Sequence, residues 1–143
     1  MGATGTGPFQ NDDALDFLDE LEDAEPDDRP RLVRKAIRGV LRSAGYVEAP
    51  SMAEAVAAAA VVAVSADPPD EHGESLNHEP MLPSWVLTDP LEVDDDLSEL
   101  ARQAFDRALD PVDNEWWELW TDAGLTPEVR ESIDRFRDLL PQD

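Results

Sequence analysis

The apolar residues of this chain recur at the three- and four-residue spacing of an α-helix in most segments. The first apolar stripe comprises Ala14, Phe17, Leu18 and Leu21. The second comprises Val33, Ala36, Ile37, Val40, Leu41 and Ala44. They predict two amphipathic helices, near residues 12–24 and 30–44. Pro26 separates these helices, Asp28 is the expected cap of the second, and Gly45 is its expected left-handed stop.

A third helix is predicted near residues 51–65, and it differs because it is apolar on nearly all sides. All residues from Ala55 to Val64 are alanine or valine. Ser51 and Glu54 precede this run with the spacing of a capping box. A helix without a polar face belongs in the middle of a bundle, where its small side chains let neighbouring helices approach closely. Because a bilayer-spanning helix needs about 20 apolar residues, we expect no membrane insertion.

Three further helices are predicted in the C-terminal third, near residues 95–109, 115–123 and 127–140. The stripe of the first is Leu97, Leu100, Ala101, Ala104, Phe105 and Ala108, and that of the last is Val129, Ile133, Phe136 and Leu140. The acidic run from Asp94 to Asp96 suits a helix N-terminus. Asn114 is the expected cap of the short middle helix, Gly124 its expected stop, and Thr126-Pro127 the start of the last.

Between the third and fourth helices the helical pattern stops. Residues 67–93 contain five prolines and both histidines, and they predict one long proline-rich loop. No useful stretch alternates with a period of two, so no substantial sheet is expected. The predicted fold is therefore all-α: a single domain over residues 1–143, built as a bundle of five or six helices. A chain of this length buries about 70% of its unfolded surface on folding.

Charge is distributed very unevenly along the chain, whose formal net charge is −23. Residues 1–28 carry ten acids and no base, whereas residues 29–50 carry six bases and one acid. Such a balance argues against nucleic-acid binding through the bulk surface and favours encounters with a basic protein. A single lysine and abundant aspartate are equally typical of a salt-adapted protein, in which case the charge indicates no partner.

Few residues of this chain could carry chemistry. There is no cysteine, and the glycine-rich lead matches no phosphate-binding motif. His72 and His78 lie near Trp85 in the predicted loop, where they are a candidate ligand pocket, but their spacing matches no metal site. No serine, histidine and aspartate set has a catalytic arrangement. We therefore expect no cofactor, no metal and no enzymatic activity.

Two groups of residues are candidates for an interaction surface, and each has a structural alternative. The first group is Trp116, Trp117 and Trp120. Trp116 and Trp120 share one face of the predicted helix, and Trp117 points away from it. Exposed tryptophans suit a protein interface, whereas buried ones belong to the core. The second group is the basic face of the second helix, Arg31, Arg34, Lys35, Arg38 and Arg42. It either meets an anionic partner or pairs with the acids of the first helix, packed antiparallel.

A resemblance to a known family rests on two short patterns. The first is Gly2-Ala-x-Gly-x-Gly-x-Phe-x-Asn-Asp-x-Ala-x-Asp16, and the second is Tyr46-x-Glu-Ala-Pro50 before the alanine-rich helix. Over residues 2–64, and more loosely beyond, the chain resembles DUF4259, an uncharacterised bacterial family common in actinobacteria. Thr4 stands where the family pattern has an aromatic residue. The resemblance brings no established activity, and therefore implies no catalytic residue.

These features predict a small acidic cytoplasmic protein that acts as a protein-interaction module. An immunity or antitoxin-like role toward a basic partner is the leading hypothesis. The alternatives are a ligand-binding or enzymatic domain with a pocket under the loop at 67–93, and a purely structural, salt-adapted domain. The oligomeric state stays open.

Overall fold

The structure is a computed structural model that describes residues 12–43, 45–66 and 91–140. These residues form six α-helices: α1 (Asp12–Asp23), α2 (Arg29–Leu41), α3 (Ala49–Ala66), α4 (Asp95–Ala108), α5 (Glu115–Ala123) and α6 (Thr126–Arg137). A short 3-10 turn, Pro26–Asp28, joins α1 to α2. Within the described ranges there is no strand, only an isolated parallel bridge between Val47 and Asn114. The all-α prediction is confirmed.

Helix α3 is the centre of the bundle and contacts each of the other five helices. Every residue from Ala55 to Ser65 is buried, as expected for a helix without a polar face. Among the described helices, α3 also has the length and apolar composition to cross a membrane, but 72% of it is buried inside the bundle. Its apolar surface is therefore covered by the rest of the protein.

Two side-chain caps and one left-handed glycine confirm three predicted boundaries of the C-terminal helices. The Asp94 carboxylate accepts a hydrogen bond from the Leu97 N–H at 2.7 Å and caps α4. The Asn114 side chain accepts from the Trp117 N–H at 3.0 Å and caps α5. Gly124 ends α5 with φ of 74°, in the left-handed region that glycine tolerates best.

Three predicted boundaries are wrong. Helix α2 ends at Leu41, and the Ser43 N–H donates to the Val40 carbonyl in a tightened last turn, so Gly45 lies beyond the stop. Helix α3 begins at Ala49, which places Ser51 inside the first turn instead of at a capping box. Helix α6 ends at Arg137, although Leu140 is still buried.

The start of α3 is fixed by a contact from a distant part of the chain. The Glu115 carboxylate accepts a hydrogen bond from the Ala49 N–H at 2.8 Å. Two residues earlier, Val47 exchanges backbone hydrogen bonds with Asp113 and Glu115 at 2.8 and 3.0 Å. The connection between α2 and α3 is thereby attached to the N-terminus of α5, and this attachment replaces the expected capping box.

The expected pairing of α1 with α2 is also wrong. Helix α1 packs mainly on α3 and has few contacts with α2. Arg34 pairs with Asp94 at 3.2 Å and also contacts Asp96, and Arg38 lies 3.8 Å from Asp96. The basic face of α2 therefore meets the acidic N-terminus of α4, because α2 packs beside α4 on the central helix.

Candidate functional site: a groove between α1 and α2

Helices α1 and α2 lie side by side on α3 and leave a groove of about 380 Å³ between them. We call it the α1–α2 groove. Its floor is apolar and consists of Phe17, Leu32, Ala36, Val40 and Val47. Its polar margin consists of Glu20, Lys35, Gly39, Ser43, Tyr46, Glu48, Ser51 and Glu54. The volume lies near the lower end of the range typical of ligand sites.

One buried arginine joins the two helices that form this groove. Arg29, the first residue of α2, donates from Nε to the Leu21 carbonyl at 2.8 Å. A second nitrogen donates to the Glu22 carbonyl at 3.4 Å. These carbonyls belong to the last turn of α1, where few backbone donors remain, and the Leu21 carbonyl also accepts from the Ala24 N–H at 3.2 Å. The guanidinium thus links the end of α1 to the start of α2.

Carboxylates outnumber basic groups on the margin of the α1–α2 groove. Glu20, Glu48 and Glu54 are all exposed there, whereas Lys35 is its one cationic side chain. No ion pair within the described residues joins Lys35 to any of them. Partial burial, together with repulsion from Glu20, Asp13 and Asp16, raises the pKa of Glu54. The groove therefore combines an apolar floor with a margin whose three glutamates and one lysine leave a net negative charge.

Tyr46 stands at the end of the α1–α2 groove and is half exposed, with 50% of its surface accessible. Its hydroxyl donates to Oε2 of Glu118 on α5 at 2.7 Å. That hydrogen bond, together with the nearby charges of Glu118, Glu115 and Asp113, raises the pKa of Tyr46 to about 12. The ring is therefore neutral at physiological pH and is held between the groove and the N-terminal turn of α5.

Three of the five candidate residues on the basic face of α2 form ion pairs within the protein. Arg34 and Arg38 pair with Asp94 and Asp96 as described above, and Arg31 lies 3.5 Å from Asp28. Within the described ranges, Lys35 and Arg42 form no ion pair. Arg34 and Arg38 thus attach α2 to the N-terminus of α4, whereas the Arg31 side chain is 74% exposed. All five basic residues also line a second cavity on this face of the protein.

The three candidate tryptophans of α5 occupy two environments. Trp116 and Trp120 are buried, with their rings packed edge to face at a centroid distance of 6.1 Å. Trp117 is partly buried, and the guanidinium of Arg130 on α6 lies 5.5 Å from its ring centroid. All three rings are thus occupied within the fold, and the structure does not bring them together with the basic face of α2.

His72, His78 and Trp85, the candidate pocket of the proline-rich loop, lie outside the described residues. Within the described ranges, no three histidine, aspartate or glutamate side chains lie close enough together to hold a metal ion.

The groove residues Glu20, Tyr46, Glu48 and Glu54 were not predicted as a site. Tyr46 and Glu48 belong to the second pattern that carries the family resemblance, which was the one available signal. Nothing in the sequence indicates that they meet residues of α1.

Comparison with known proteins gives one match. The family model for the domain of unknown function DUF4259 matches residues 2–132. No curated protein and no solved structure matches the chain significantly. Since the matched region includes all six helices except the end of α6, the suspected resemblance is confirmed over most of the sequence. The chain belongs to the DUF4259 family, a domain of unknown function.

Proposed function

We propose that this domain is a protein-interaction module whose α1–α2 groove binds a cationic, partly apolar segment of a basic protein. The observation that carries the proposal is the groove itself, in which three glutamates surround an apolar floor. A segment with alternating basic and aliphatic side chains complements both features. We propose that this binding serves an immunity or antitoxin-like role, in which the domain covers a basic surface of its partner.

The overall charge supports the same class of partner. A net charge of −23 speeds encounter with cationic proteins and disfavours binding to anionic ones. Long-range attraction alone would be unspecific, however, because it acts on every basic surface. The groove adds shape and an apolar contact, and these supply the specificity that charge does not. Binding, and not catalysis, is accordingly the activity we assign.

The proposal is tested by neutralising two margin carboxylates, Glu20→Gln and Glu48→Gln, in one variant. The matched control is Glu128→Gln with Glu131→Gln, which removes the same charge from exposed positions of α6. Each protein is used as bait in a native cell extract, and captured proteins are eluted with a salt gradient. The affinity of the main basic partner is then measured with purified proteins.

We expect the groove variant to bind its basic partner about three- to tenfold more weakly, since two exposed charge pairs are lost. The control should bind like the wild type. Equal loss in both variants would mean that only total charge matters. Elution that does not depend on salt would contradict an electrostatic interaction altogether.

A further inference from the structure

We propose that Tyr46 and the carboxylates of Glu115 and Glu118 form an arginine-binding end of the α1–α2 groove. This inference rests on the proposed function, because it names the side chain by which the bound segment is held. The occupant is an arginine of the basic partner, its guanidinium stacked on the exposed Tyr46 ring and donating to the two carboxylates.

The first support is that the aromatic ring is exposed yet fixed in position. Half of the Tyr46 surface is accessible, and its hydroxyl is held by Glu118 at 2.7 Å. The next residue along the chain, Val47, is buried and hydrogen-bonded on both sides to the backbone of Asp113 and Glu115. A ring that is already oriented loses little conformational entropy when a ligand stacks on it.

The second support is the hydrogen-bonding state of the two carboxylates. Oε2 of Glu118 accepts from the Tyr46 hydroxyl, and Oε1 of Glu115 accepts from the Ala49 N–H. Within the described residues, no hydrogen bond engages Oε1 of Glu118 or Oε2 of Glu115. Each carboxylate is thus positioned by one oxygen and has the other available for an N–H donor.

The third support is that the charges around Tyr46 have one sign. Glu118, Glu115 and Asp113 all act on the phenol electrostatically, and each raises its pKa. The guanidinium of Arg107 donates to the backbone carbonyls of Asp110 and Asp113 at 3.4 and 2.9 Å, and to neither glutamate carboxylate. A cation placed over the ring is therefore attracted by the π-system and by the carboxylates together.

These features favour arginine over lysine. A guanidinium is planar, stacks on an aromatic ring and presents several N–H donors that can reach separate carboxylate oxygens. An ammonium group is a point charge that is more strongly hydrated, and it gains less from the ring. The preference between the two cations therefore reports on Tyr46 itself, independently of the general negative charge of the groove.

The test uses two fluorescein-labelled peptides of about twelve residues, one alternating leucine with arginine and the other leucine with lysine. Their affinities are measured by fluorescence anisotropy for the wild type, Tyr46→Ala, Tyr46→Phe, and the Glu20→Gln with Glu48→Gln variant. Thermal unfolding of each variant verifies that it is folded. Tyr46→Phe retains the ring and loses only the hydrogen bond to Glu118.

We expect Tyr46→Ala to lower the affinity for the arginine peptide about two- to fivefold, the range of an exposed cation–π contact. The arginine peptide should then bind with an affinity closer to that of the lysine peptide. Tyr46→Phe should retain most of the affinity. If both peptides bind the Glu20→Gln with Glu48→Gln variant more weakly, while Tyr46→Ala changes the affinity of neither, the groove still binds cationic segments. The inference that Tyr46 binds an arginine is then overturned. If neither peptide binds the wild type, the proposed function fails, and the inference with it.

Discussion

At the scale of single residues, the Asn114 side chain makes four hydrogen bonds that join the end of α4 to the start of α5. It is fully buried, and its Nδ2 donates to the carbonyls of Arg107, Ala108 and Asp110 at 3.3, 3.0 and 2.9 Å. Its Oδ1 caps α5 through the Trp117 N–H. One amide thus satisfies the end of α4 and the start of α5, where helix termini lack intrahelical partners.

We predict that Asn114→Ala lowers the free energy of unfolding by about 2–3 kcal/mol, because a cap is lost and buried carbonyls lose their donor. Asn114→Asp keeps the capping acceptor but removes the donors and places a negative charge beside carbonyl oxygens. It should therefore be no more stable than the alanine variant. Urea unfolding followed by tryptophan fluorescence measures both. If Asn114→Asp were as stable as the wild type, the cap of α5 by Oδ1 would be the only important interaction of Asn114, and the Nδ2 hydrogen bonds would contribute nothing.

At the scale of helices, the sequence predicts what depends on local pattern and fails where the partner is distant. The helical periodicities, the caps Asp94 and Asn114, and the central place of α3 follow from residues within a few positions of one another. The start of α3 depends on Glu115, 66 residues away in the sequence. The α1–α2 groove likewise arises only when α1 and α2 pack separately on α3, which no local pattern encodes.

The alanines of α3 determine how closely its neighbours pack. Ala57, Ala58, Ala59 and Ala60 are fully buried in succession, so every side of this part of the helix faces another element. Since interiors are packed as densely as organic crystals, a larger side chain has no space to occupy. Neighbouring helices would have to move apart to admit it.

We predict that Ala59→Leu lowers the free energy of unfolding by about 1–3 kcal/mol through overpacking. The same substitution at the exposed Ala123 of α5 is the matched control and should change stability by less than about 0.5 kcal/mol. Thermal unfolding measured by circular dichroism distinguishes the two. An unchanged stability of Ala59→Leu would mean that the bundle can adjust around α3.

At the scale of the whole molecule, uneven charge opposes the compact state as well as serving recognition. Self-repulsion at a net charge of −23 lowers stability at low ionic strength, and added salt screens it. Glu54 shows this locally, because α3 holds it against Glu20, Asp13 and Asp16 of α1. The same carboxylates that favour a cationic partner therefore weaken the attachment of α1 while no partner is bound. Binding and stability are in this way opposed at the α1–α2 groove.

The sign of the pH dependence follows from the direction of each pKa shift. Folding raises the pKa of Glu54 above its ordinary 4.5, so the folded state holds this proton more tightly than the unfolded state. Its contribution to stability is therefore greatest below pH 4.5 and decreases as the pH rises through the raised pKa. Asp94 acts in the opposite direction, because the Leu97 N–H and Arg34 lower its pKa and its contribution disappears under acid conditions.

We predict that Glu54→Gln stabilises the domain at neutral pH by about 0.2–1 kcal/mol, a small value because the side chain is largely exposed. The gain should diminish as the pH falls toward 4.5 and Glu54 in the wild type becomes protonated. It should also diminish in 0.5 M salt, where the Debye length is only about 3–5 Å. Chemical unfolding at several pH values measures it, with Glu131→Gln on α6 as the control for net charge. Equal gains in the two variants would mean that repulsion is spread over the whole surface, whereas a gain confined to Glu54→Gln places it between α1 and α3.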